Sequence, residues 1–404
     1  MNQVTEARML DTAEAAARLG VKRATLYAYV SRGLINREAG PDGRSSLFDA
    51  AEIESFRSGR RQAAEGELNT ALTTAITRVS DEGVWIRGHD LVALVGRDPS
   101  YEEVVDLLWE AEPGEGWSVP RAAKLKAALV HASMPTEASY MDRVRVTTVL
   151  ASALDPLRHD LSGRAVRSAG RQLIGLMVDA LARGKEAPGD RIADRLWVAL
   201  THRPGRTAER QALNAAMSIL VDHGLAASNF SARIAGSVRA DPYSAVLAGL
   251  GALGGTLHGA ASAGVHELLL DAEKRDVPRA LVDAHRRLGR TPGFGHRVYK
   301  NQDPRCEALL ERVAAAWEGD PRLNVITRVH QVVADRTDDV ANVDLALGAL
   351  TYMARMEAEA GEVIFAISRT AGWLAHAAEE YTEEPLRFRP KARYVGRPPI
   401  ESEA

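Results

Sequence analysis

The chain has 404 residues, more than one ordinary domain contains, so we expect two or three domains. Hydrophobic residues make up 46% and charged residues 26%, which is typical of a globular protein in water. The 51 basic and 54 acidic side chains give a net charge of −3. This balance argues against a nucleic-acid or membrane surface that covers the whole protein.

Three features bear on where the protein works. Cys306 is the lone cysteine, which excludes an internal disulfide and suits a reducing cytosol. The N-terminal sequence MNQVTEARMLDTAEAA lacks the apolar segment of a signal peptide. The longest apolar stretch, Ser244–Gly255, is too short and too rich in glycine to span a bilayer. We therefore expect a cytoplasmic protein that makes no membrane contact.

The first clear pattern near the N-terminus predicts a short helix. Asp11-Thr-Ala-Glu14 has the form of a capping box, and Leu10 can pack on the first turn as a hydrophobic staple. The pattern predicts a helix at Ala13–Leu19 that ends at Gly20, because glycine readily adopts the left-handed conformation of a helix end.

A second helix and a hairpin follow. The predicted helix is Lys22–Ser31, with Leu26 and Val30 on its inward face. Leu34–Phe48 is typical of a hairpin around the turn Gly40–Gly43. The outward side chains, and therefore the candidate DNA-binding residues, are Lys22, Arg23, Thr25 and Arg32.

Helix, turn, basic helix and hairpin together predict a winged helix-turn-helix module. The string TAEAAARLGVKRATLYAYVSRGLI (residues 12–35) resembles the DNA-binding domains of the MerR and excisionase type. Residues 1–61 carry ten basic and eight acidic side chains, so only weak DNA binding is expected. A role in protein contacts or oligomerisation is the alternative. We place the module at residues 1–62 and a linker at 63–67.

The remaining chain, residues 68–404, shows helical periodicity with glycine, proline and aspartate between the segments. One short hairpin is predicted at Val79–Leu91, and the rest of this body is predicted to be all-α. The predicted helices are Tyr101–Glu110, Arg121–Ser133, Tyr140–Leu154, Arg164–Arg183, Asp190–Thr201, Glu209–Gly224, Pro242–Gly254, His258–Lys274, Pro278–Arg287, Pro304–Ala315, Val343–Ala358 and Val363–Glu379.

The segment Pro292–Arg305 is the most informative part of this body. A glycine-rich bend, a histidine, several cations and an Asp-Pro turn suit a site that binds an anion and polarises a carbonyl. Gly-His-Arg-Val-Tyr-Lys-x-x-Asp-Pro-Arg (residues 295–305) resembles the signature of citrate synthases. The resemblance covers nearly all of residues 68–404, including WIRGHDL (85–91) and RFRPKARYVG (387–396).

This resemblance implies an enzyme that condenses acetyl-CoA with oxaloacetate to give citrate and CoA. It implies a homodimer whose protomers have a large helical domain, residues 68–255 and 350–404, and a small helical domain, residues 256–349. Closure of the domains over oxaloacetate would build the acyl-CoA site. Acetyl-CoA would be a co-substrate, and neither a bound cofactor nor a metal is expected. No counterpart of the β-rich domain of NADH-inhibited citrate synthases is present in the sequence.

The condensation needs a base for the α-proton, donors for the enol and cations for the carboxylates. By the resemblance, Asp344 in Asn-Val-Asp is the base, although an aspartate at such a helix start is ordinarily a cap. His258 in GGTLHGAA (254–261) would stabilise the enol, kept neutral by a helix N-terminus. His296 would polarise the ketone of oxaloacetate.

The resemblance also implies a set of residues that bind the substrates. Guanidinium groups match carboxylates because both are planar and bidentate. Lys300 matches a cation near the CoA phosphates, with an ordinary surface lysine as the alternative. The residues matched to oxaloacetate binding are His223, Arg305, Arg369 and Arg389.

The chain departs from the family pattern around these residues. Gly224 and Ala226 replace the usual Glu-x-Asn, and Ser262 and Ala263 replace Asn and Glu. Leu345–Leu347 stand where an aromatic residue and Tyr-Ser are usual, with Gly348 retained. The acyl group therefore stays open, and 2-methylcitrate synthesis from propionyl-CoA is one alternative. A citrate-synthase-like ligand sensor that controls DNA binding is another.

Overall fold

The computed structural model describes residues 9–31, 35–40, 45–50, 52–54, 56, 72–112, 116–182, 185, 187–255, 261–389 and 396. The described residues up to Thr73 form one compact unit, and Thr74–Arg389 form another. The division of the body into a large and a small domain stays a prediction.

The N-terminal unit begins with the predicted capping box. The Asp11 carboxylate accepts hydrogen bonds from the N–H groups of Ala13 and Glu14, and Glu14 accepts from the Asp11 N–H. The helix Thr12–Leu19 then ends at Gly20, which has φ of +65°. The second helix is Arg23–Ser31. Both helices lie within two residues of their predicted limits.

Three strands complete this unit. Ser46–Asp49 lies between Glu38–Ala39 and Met9–Asp11, and both pairings are antiparallel. The strand Met9–Asp11 was not predicted, because three residues before a helix cap carry no alternation to read. Its Leu10 lies opposite Phe48. The shared core consists of Leu10, Ala15, Ala16, Leu26, Ile35, Phe48 and Ile53.

The candidate DNA-binding side chains differ in exposure. Lys22 and Arg23 are exposed, and Thr25 is half-buried. Arg32 and the centre of the predicted hairpin turn lie outside the described residues. Leu26 is fully buried, as its inward position predicts.

The body begins with a small antiparallel sheet. Thr77–Ser80 pairs with Gly83–Ile86, which pairs with His89–Asp90. The hairpin predicted at Val79–Leu91 therefore starts two residues earlier and gains a third, two-residue strand. Asp90 ends this strand and caps the next helix by accepting from the Ala93 N–H at 2.9 Å.

The rest of the described body is helical, as predicted. The helices are Leu91–Gly96, Tyr101–Leu108, Arg121–Ala132, Tyr140–Leu154, Gly163–Ala182, Ile192–Thr201, Thr207–Leu220, Ala227–Ser237, Pro242–Leu253, Ala261–Lys274, Val277–Leu288, Pro304–Ala316, Leu323–Ala334, Val343–Ala354 and Ala360–Thr382. Within the described ranges, no helix has the length and apolar character needed to cross a membrane.

Three of these helices were not predicted: Leu91–Gly96, Ala227–Ser237 and Leu323–Ala334. The predicted helix Glu209–Gly224 ends four residues early, at Leu220. Gly224 has φ of +61°, which is incompatible with a continuing right-handed helix. His223 therefore lies in a loop.

The long helix Ala360–Thr382 forms the centre of the body. Most of its residues are buried, which is the pattern of a helix surrounded by others. It packs on Ala227–Ser237, Pro242–Leu253 and Gly163–Ala182. At Gly249, an added Cβ would lie 2.5 Å from the ring of Trp373, so glycine permits this close approach. The helix carries Arg369 inside this packed core.

Candidate active site

The segment after Pro292 is tied to the start of the helix Val343–Ala354. The Asn342 N–H donates to the Gly293 carbonyl at 2.9 Å, and the Asn342 side-chain amide donates to the Gly295 carbonyl at 2.8 Å. The Gly295 N–H donates to the Val340 carbonyl at 2.8 Å. Gly293 has φ of +81°, and a Cβ there would lie 2.8 Å from Val265. The glycines thus allow the loop to bring His296 against this helix start.

Asp303 fixes the position of Arg305 and links two helix starts at the site. It is the N-cap of the helix Pro304–Ala316, and its Oδ1 accepts from the Arg305 N–H at 3.1 Å and from Arg305 Nε at 3.0 Å. Its Oδ2 accepts from Arg305 Nη2 at 2.8 Å and from the Val343 N–H at 3.1 Å. One buried carboxylate therefore joins two helix starts and fixes the Arg305 guanidinium, which is 3% exposed.

The tautomer of His296 follows from its backbone contacts. His296 Nδ1 accepts from the N–H groups of Val298 at 3.1 Å and Tyr299 at 3.0 Å, so a neutral ring carries its proton on Nε2. Burial and the Arg305 charge lower the pKa of His296, which favours that neutral ring. Nε2 lies 3.4 Å from Arg305 Nη2. Two donors thus face the same space, an arrangement that suits a carbonyl or carboxylate oxygen.

His223 adds a second imidazole. Its Nε2 lies 3.0 Å from the hydroxyl oxygen of Tyr299, and its ring meets that of His296 edge-on at 5.7 Å between centroids. Burial, together with the charges of Arg305 and Arg369, holds the pKa of His223 well below its usual value. Burial raises the pKa of Tyr299 to about 12. Both groups are therefore neutral at physiological pH.

Asp344 is the carboxylate of this cluster. The cap of its helix is Asn342, whose side-chain oxygen accepts from the Asp344 N–H at 3.0 Å. The Asp344 carboxylate is therefore not the cap. Burial raises the pKa of Asp344 to about 6, assisted by Asp303 and opposed by Arg305, Arg290 and Arg369. A carboxylate with this pKa is ionised near pH 7 and is a stronger base than an ordinary aspartate.

Arg369 completes the cationic side. It is 1% exposed, its Nε donates to the Leu220 carbonyl at 2.7 Å, and its guanidinium lies 4.6 Å from the ring centroid of Phe365. Burial lowers the pKa of Arg369 to about 10, against the opposing effects of Asp222 and Asp344. The group stays charged at neutral pH, so the site combines two buried cations, two neutral imidazoles and one basic carboxylate.

Three predicted residues are not part of this cluster in the described structure. His258 lies outside the described residues, and the helix beyond it is described from Ala261. Arg389 is exposed, and no hydrogen bond or ion pair joins it to the described residues of the cluster. Lys300 is also exposed: its N–H donates to Asp81 Oδ1 at 2.7 Å, and its Nζ donates to the Arg297 carbonyl at 3.0 Å.

Several supporting residues of the cluster were not predicted. Tyr299, Asp303 and Asn342 lie inside or beside the motifs, and Asp222 directly precedes His223. A signal existed for two of them, because aspartate before Pro304 and asparagine before Val343 are favoured helix caps. Nothing local indicated that the Asp303 carboxylate would also reach a second helix.

The departure at Ser262 has a packing consequence. Ser262 is 1% exposed, and an added Cβ at Gly361 would lie 2.5 Å from its Oγ. An added Cβ at Gly348 would lie 2.5 Å from Val265 and 2.9 Å from the Ser262 carbonyl. Small residues therefore allow three helices to approach closely here.

In the described part of the chain, no group of three or more His, Cys, Asp or Glu side chains is arranged to hold a metal ion.

Two domain families match the chain. The family model "Citrate synthase, C-terminal domain" matches residues 67–391, and a helix-turn-helix domain model matches residues 9–61. The citrate synthase of Haloferax volcanii is 31% identical over 338 residues, which are 76% of this chain and 88% of that protein. The 2-methylcitrate synthase 1 of Corynebacterium glutamicum is 28% identical over 363 residues, 80% of this chain and 92% of that protein.

A solved structure extends the likeness to the fold. The citrate synthase of Thermoplasma acidophilum, in a ternary complex with carboxymethyl coenzyme A and oxaloacetate, superposes with a TM-score of 0.70. It is 22% identical, and the match covers 84% of this chain and 97% of that one. Enzymes of this family use the acyl-CoA as a co-substrate and need no bound cofactor. The chain belongs to the citrate synthase family and is an acyltransferase of the citrate synthase type that carries an N-terminal helix-turn-helix domain.

Proposed function

We propose that the protein condenses acetyl-CoA with oxaloacetate to give citrate and CoA. The observation that carries the proposal is Asp344, a carboxylate that does not cap its helix and has a pKa of about 6. It lies in the electrostatic reach of Arg305 and Arg369, two buried cations suited to a dicarboxylate. A base of raised pKa beside an anion-binding site suits proton abstraction next to a thioester carbonyl.

The proposed reaction assigns each group a task. Asp344 takes a proton from the acetyl methyl group, and His258 donates a hydrogen bond to the thioester oxygen, which stabilises the resulting enolate. The enolate carbon attacks the ketone carbon of oxaloacetate, whose oxygen takes the Nε2 proton of His296. The proton held by Asp344 then replaces it, so both side chains return to their starting states. Water then hydrolyses the thioester and releases the CoA thiol. His223, Arg305 and Arg369 hold the oxoacid, with Arg389 contributed by the partner subunit.

A thiol-release assay tests this function. With oxaloacetate present, the protein should release free thiol from acetyl-CoA and form citrate, identified by mass spectrometry. Release should require oxaloacetate, since condensation precedes hydrolysis in the proposed sequence. No release from either acetyl-CoA or propionyl-CoA, by protein that still binds oxaloacetate, would support a ligand sensor instead.

Synthesis of 2-methylcitrate from propionyl-CoA is the second candidate. Relatives named 2-methylcitrate synthase, from Corynebacterium glutamicum and Mycobacterium tuberculosis, are 28% identical, close to the 27% of citrate synthase 2 of Bacillus subtilis. The ratio of kcat/KM for the two acyl-CoA substrates decides between them. A single methylene in an apolar pocket changes this ratio by roughly 10- to 200-fold, so the measurement is decisive.

We further propose that the enzyme is a cytoplasmic homodimer with composite sites. If Arg389 serves the neighbouring site, mixed dimers of Arg389→Ala and His258→Ala subunits retain one site with both residues. Such mixtures should regain activity that neither variant has alone. Heterodimers that form but stay inactive would contradict a shared site.

The N-terminal module is proposed to bind duplex DNA weakly. Lys22 and Arg23 are exposed at the start of the second helix, where helix-turn-helix proteins contact DNA. With a net charge of only +2 in residues 1–61, affinity should fall modestly with salt. Titration of the whole protein into mixed duplex fragments tests this. Absence of binding at low salt would favour a role in protein contacts.

A further inference from the structure

A buried ionic network runs along the last turns of the helix Ala360–Thr382, away from Arg369. At its near end, Asp222 is fully buried, and its Oδ1 lies 3.3 Å from His376 Nε2. Asp222 Oδ1 also accepts from Asn229 Nδ2 at 2.6 Å. Burial alone would raise the pKa of Asp222, but His376 and Arg369 outweigh it and lower the pKa to about 2. The carboxylate beside His223 is therefore ionised at physiological pH.

The network continues through Arg233 to Glu380. Arg233 Nη1 lies 3.5 Å from His376 Nδ1, and its Nε donates to Glu380 Oε2 at 3.1 Å. Arg233 also pairs with Glu379, which accepts from the Ala75 N–H at 2.7 Å. Arg233, His376 and Glu380 are each 0% exposed. Buried charges in such a chain are costly unless each keeps its partner, so the geometry is strongly constrained.

The far end of the network is Arg387. Its Nε and Nη2 each donate to one oxygen of Glu380, both at 2.7 Å, which is the bidentate pairing of guanidinium and carboxylate. The next residue, Phe388, packs edge-on against Phe230 at 5.4 Å, and the Leu386 N–H donates to the Ser237 carbonyl at 2.9 Å. Three consecutive residues are thus fixed directly before the exposed Arg389.

From these contacts we infer that the Glu380–Arg387 pair positions Arg389 for the oxoacid carboxylate, so that Arg387 is a positioning residue of the reaction. The inference rests on the proposed function, in which Arg389 binds that carboxylate. The helix that holds Glu380 also carries Arg369. The same helix therefore positions Arg369 in its own protomer's site and, through Arg387, positions Arg389 for the partner subunit's site. Misplacing a binding group by about 1 Å can cost up to ~100-fold, so this support matters to affinity.

A double-mutant cycle tests the inference in the full-length enzyme. Arg387→Gln should raise the KM for oxaloacetate about tenfold and leave kcat within about twofold, because binding rather than chemistry loses its support. Arg387→Lys keeps the charge without the bidentate fork and should fall between. In an Arg389→Gln background, Arg387→Gln should have no further effect on KM. Arg275→Gln, which breaks an exposed pair with Asp283, is the matched control.

The outcomes separate the two proposals. An unchanged KM in Arg387→Gln, or the same increase with and without Arg389, would overturn the positioning role. An unchanged KM in Arg389→Gln would remove Arg389 from the oxoacid site, and this inference with it, while thiol release by the wild type would still support the proposed reaction. If Arg387→Gln lowers the unfolding temperature, the KM of Arg387→Lys is compared with wild type at equal concentrations of folded protein. A KM increase caused only by lost stability would be the same with and without Arg389.

Discussion

The two ends of the candidate active site are built differently. At the end proposed to bind the oxoacid, Arg305 and Arg369 are buried; a carboxylate holds Arg305, and a backbone carbonyl holds Arg369. At the end proposed to bind CoA, Lys300 is exposed, and its Nζ donates to the carbonyl of Arg297. A buried cation has already lost its water and has a fixed orientation before the ligand binds. An exposed cation loses water and becomes ordered only when the ligand binds. Substitutions should therefore be costly at the first end and mild at the second.

The largest effect is expected at Asp344, the proposed base. Asp344→Asn keeps the shape of the side chain but cannot accept the methyl proton, so kcat should fall about 100-fold or more. Binding of oxaloacetate, measured by calorimetry, should change little. Near-normal turnover in this variant would remove Asp344 from the role of base.

Arg369→Gln should give the next largest effect. Loss of a charge-assisted contact to a carboxylate costs ~1.5–3 kcal/mol, so the KM for oxaloacetate should rise about 10- to 100-fold. The KM for the acyl-CoA should change far less. Equal increases in both KM values would show that Arg369 supports the whole site rather than its oxoacid end.

Stability should respond to Asp344 in the opposite direction from activity. Its pKa in the folded protein, about 6, lies above the ordinary aspartate value, so wild-type stability falls as pH rises through 6. Asp344→Asn should therefore be more stable than wild type at pH 7, by up to about 3 kcal/mol, with the difference shrinking towards pH 4. Thermal unfolding at both pH values measures it. A variant that is less stable at pH 7 would contradict the raised pKa.

The smallest effect is expected at Lys300. Exposed ion pairs contribute roughly 0–1 kcal/mol, so Lys300→Ala should raise the KM for acetyl-CoA no more than about fivefold. The effect should weaken with added salt because exposed charges are screened. An increase in this KM as large as the increase in the oxaloacetate KM of Arg369→Gln would mean that Lys300 becomes buried when the substrates bind. The contrast between the two ends would then be wrong.

The sequence predicted those parts of the fold whose signals are local. Asp11 with Glu14 identified one helix start, and the helix predicted from Pro304 begins there, capped by Asp303. Most helices of the body were predicted within a few residues because their apolar spacing is regular. Ala227–Ser237 was missed: it buries polar Ser228, Asn229 and Arg233, so its inward face does not look apolar. The distant residues that pack against these polar side chains cannot be predicted from the local sequence pattern.

The same difference between local and long-range signals applies to the candidate site. Motif resemblance selected His223, His296, Arg305, Arg369 and Asp344, and the structure shows their surroundings. Their supports could not be predicted, because Asp303 bonds to Val343 forty residues away and Arg369 to Leu220 across the core. Such contacts depend on how helices pack and not on which residues adjoin in sequence. The roles of these residues in the reaction stay predictions.

The pH dependence of kcat/KM for the acyl-CoA, at saturating oxaloacetate, tests the central claim most directly. If Asp344 is the base and its pKa is about 6, the rate should be level near pH 8 and fall about tenfold per pH unit below 6. A rate that stays level down to about pH 5, or a decline below pH 6 that persists unchanged in the residual activity of Asp344→Asn, would contradict it.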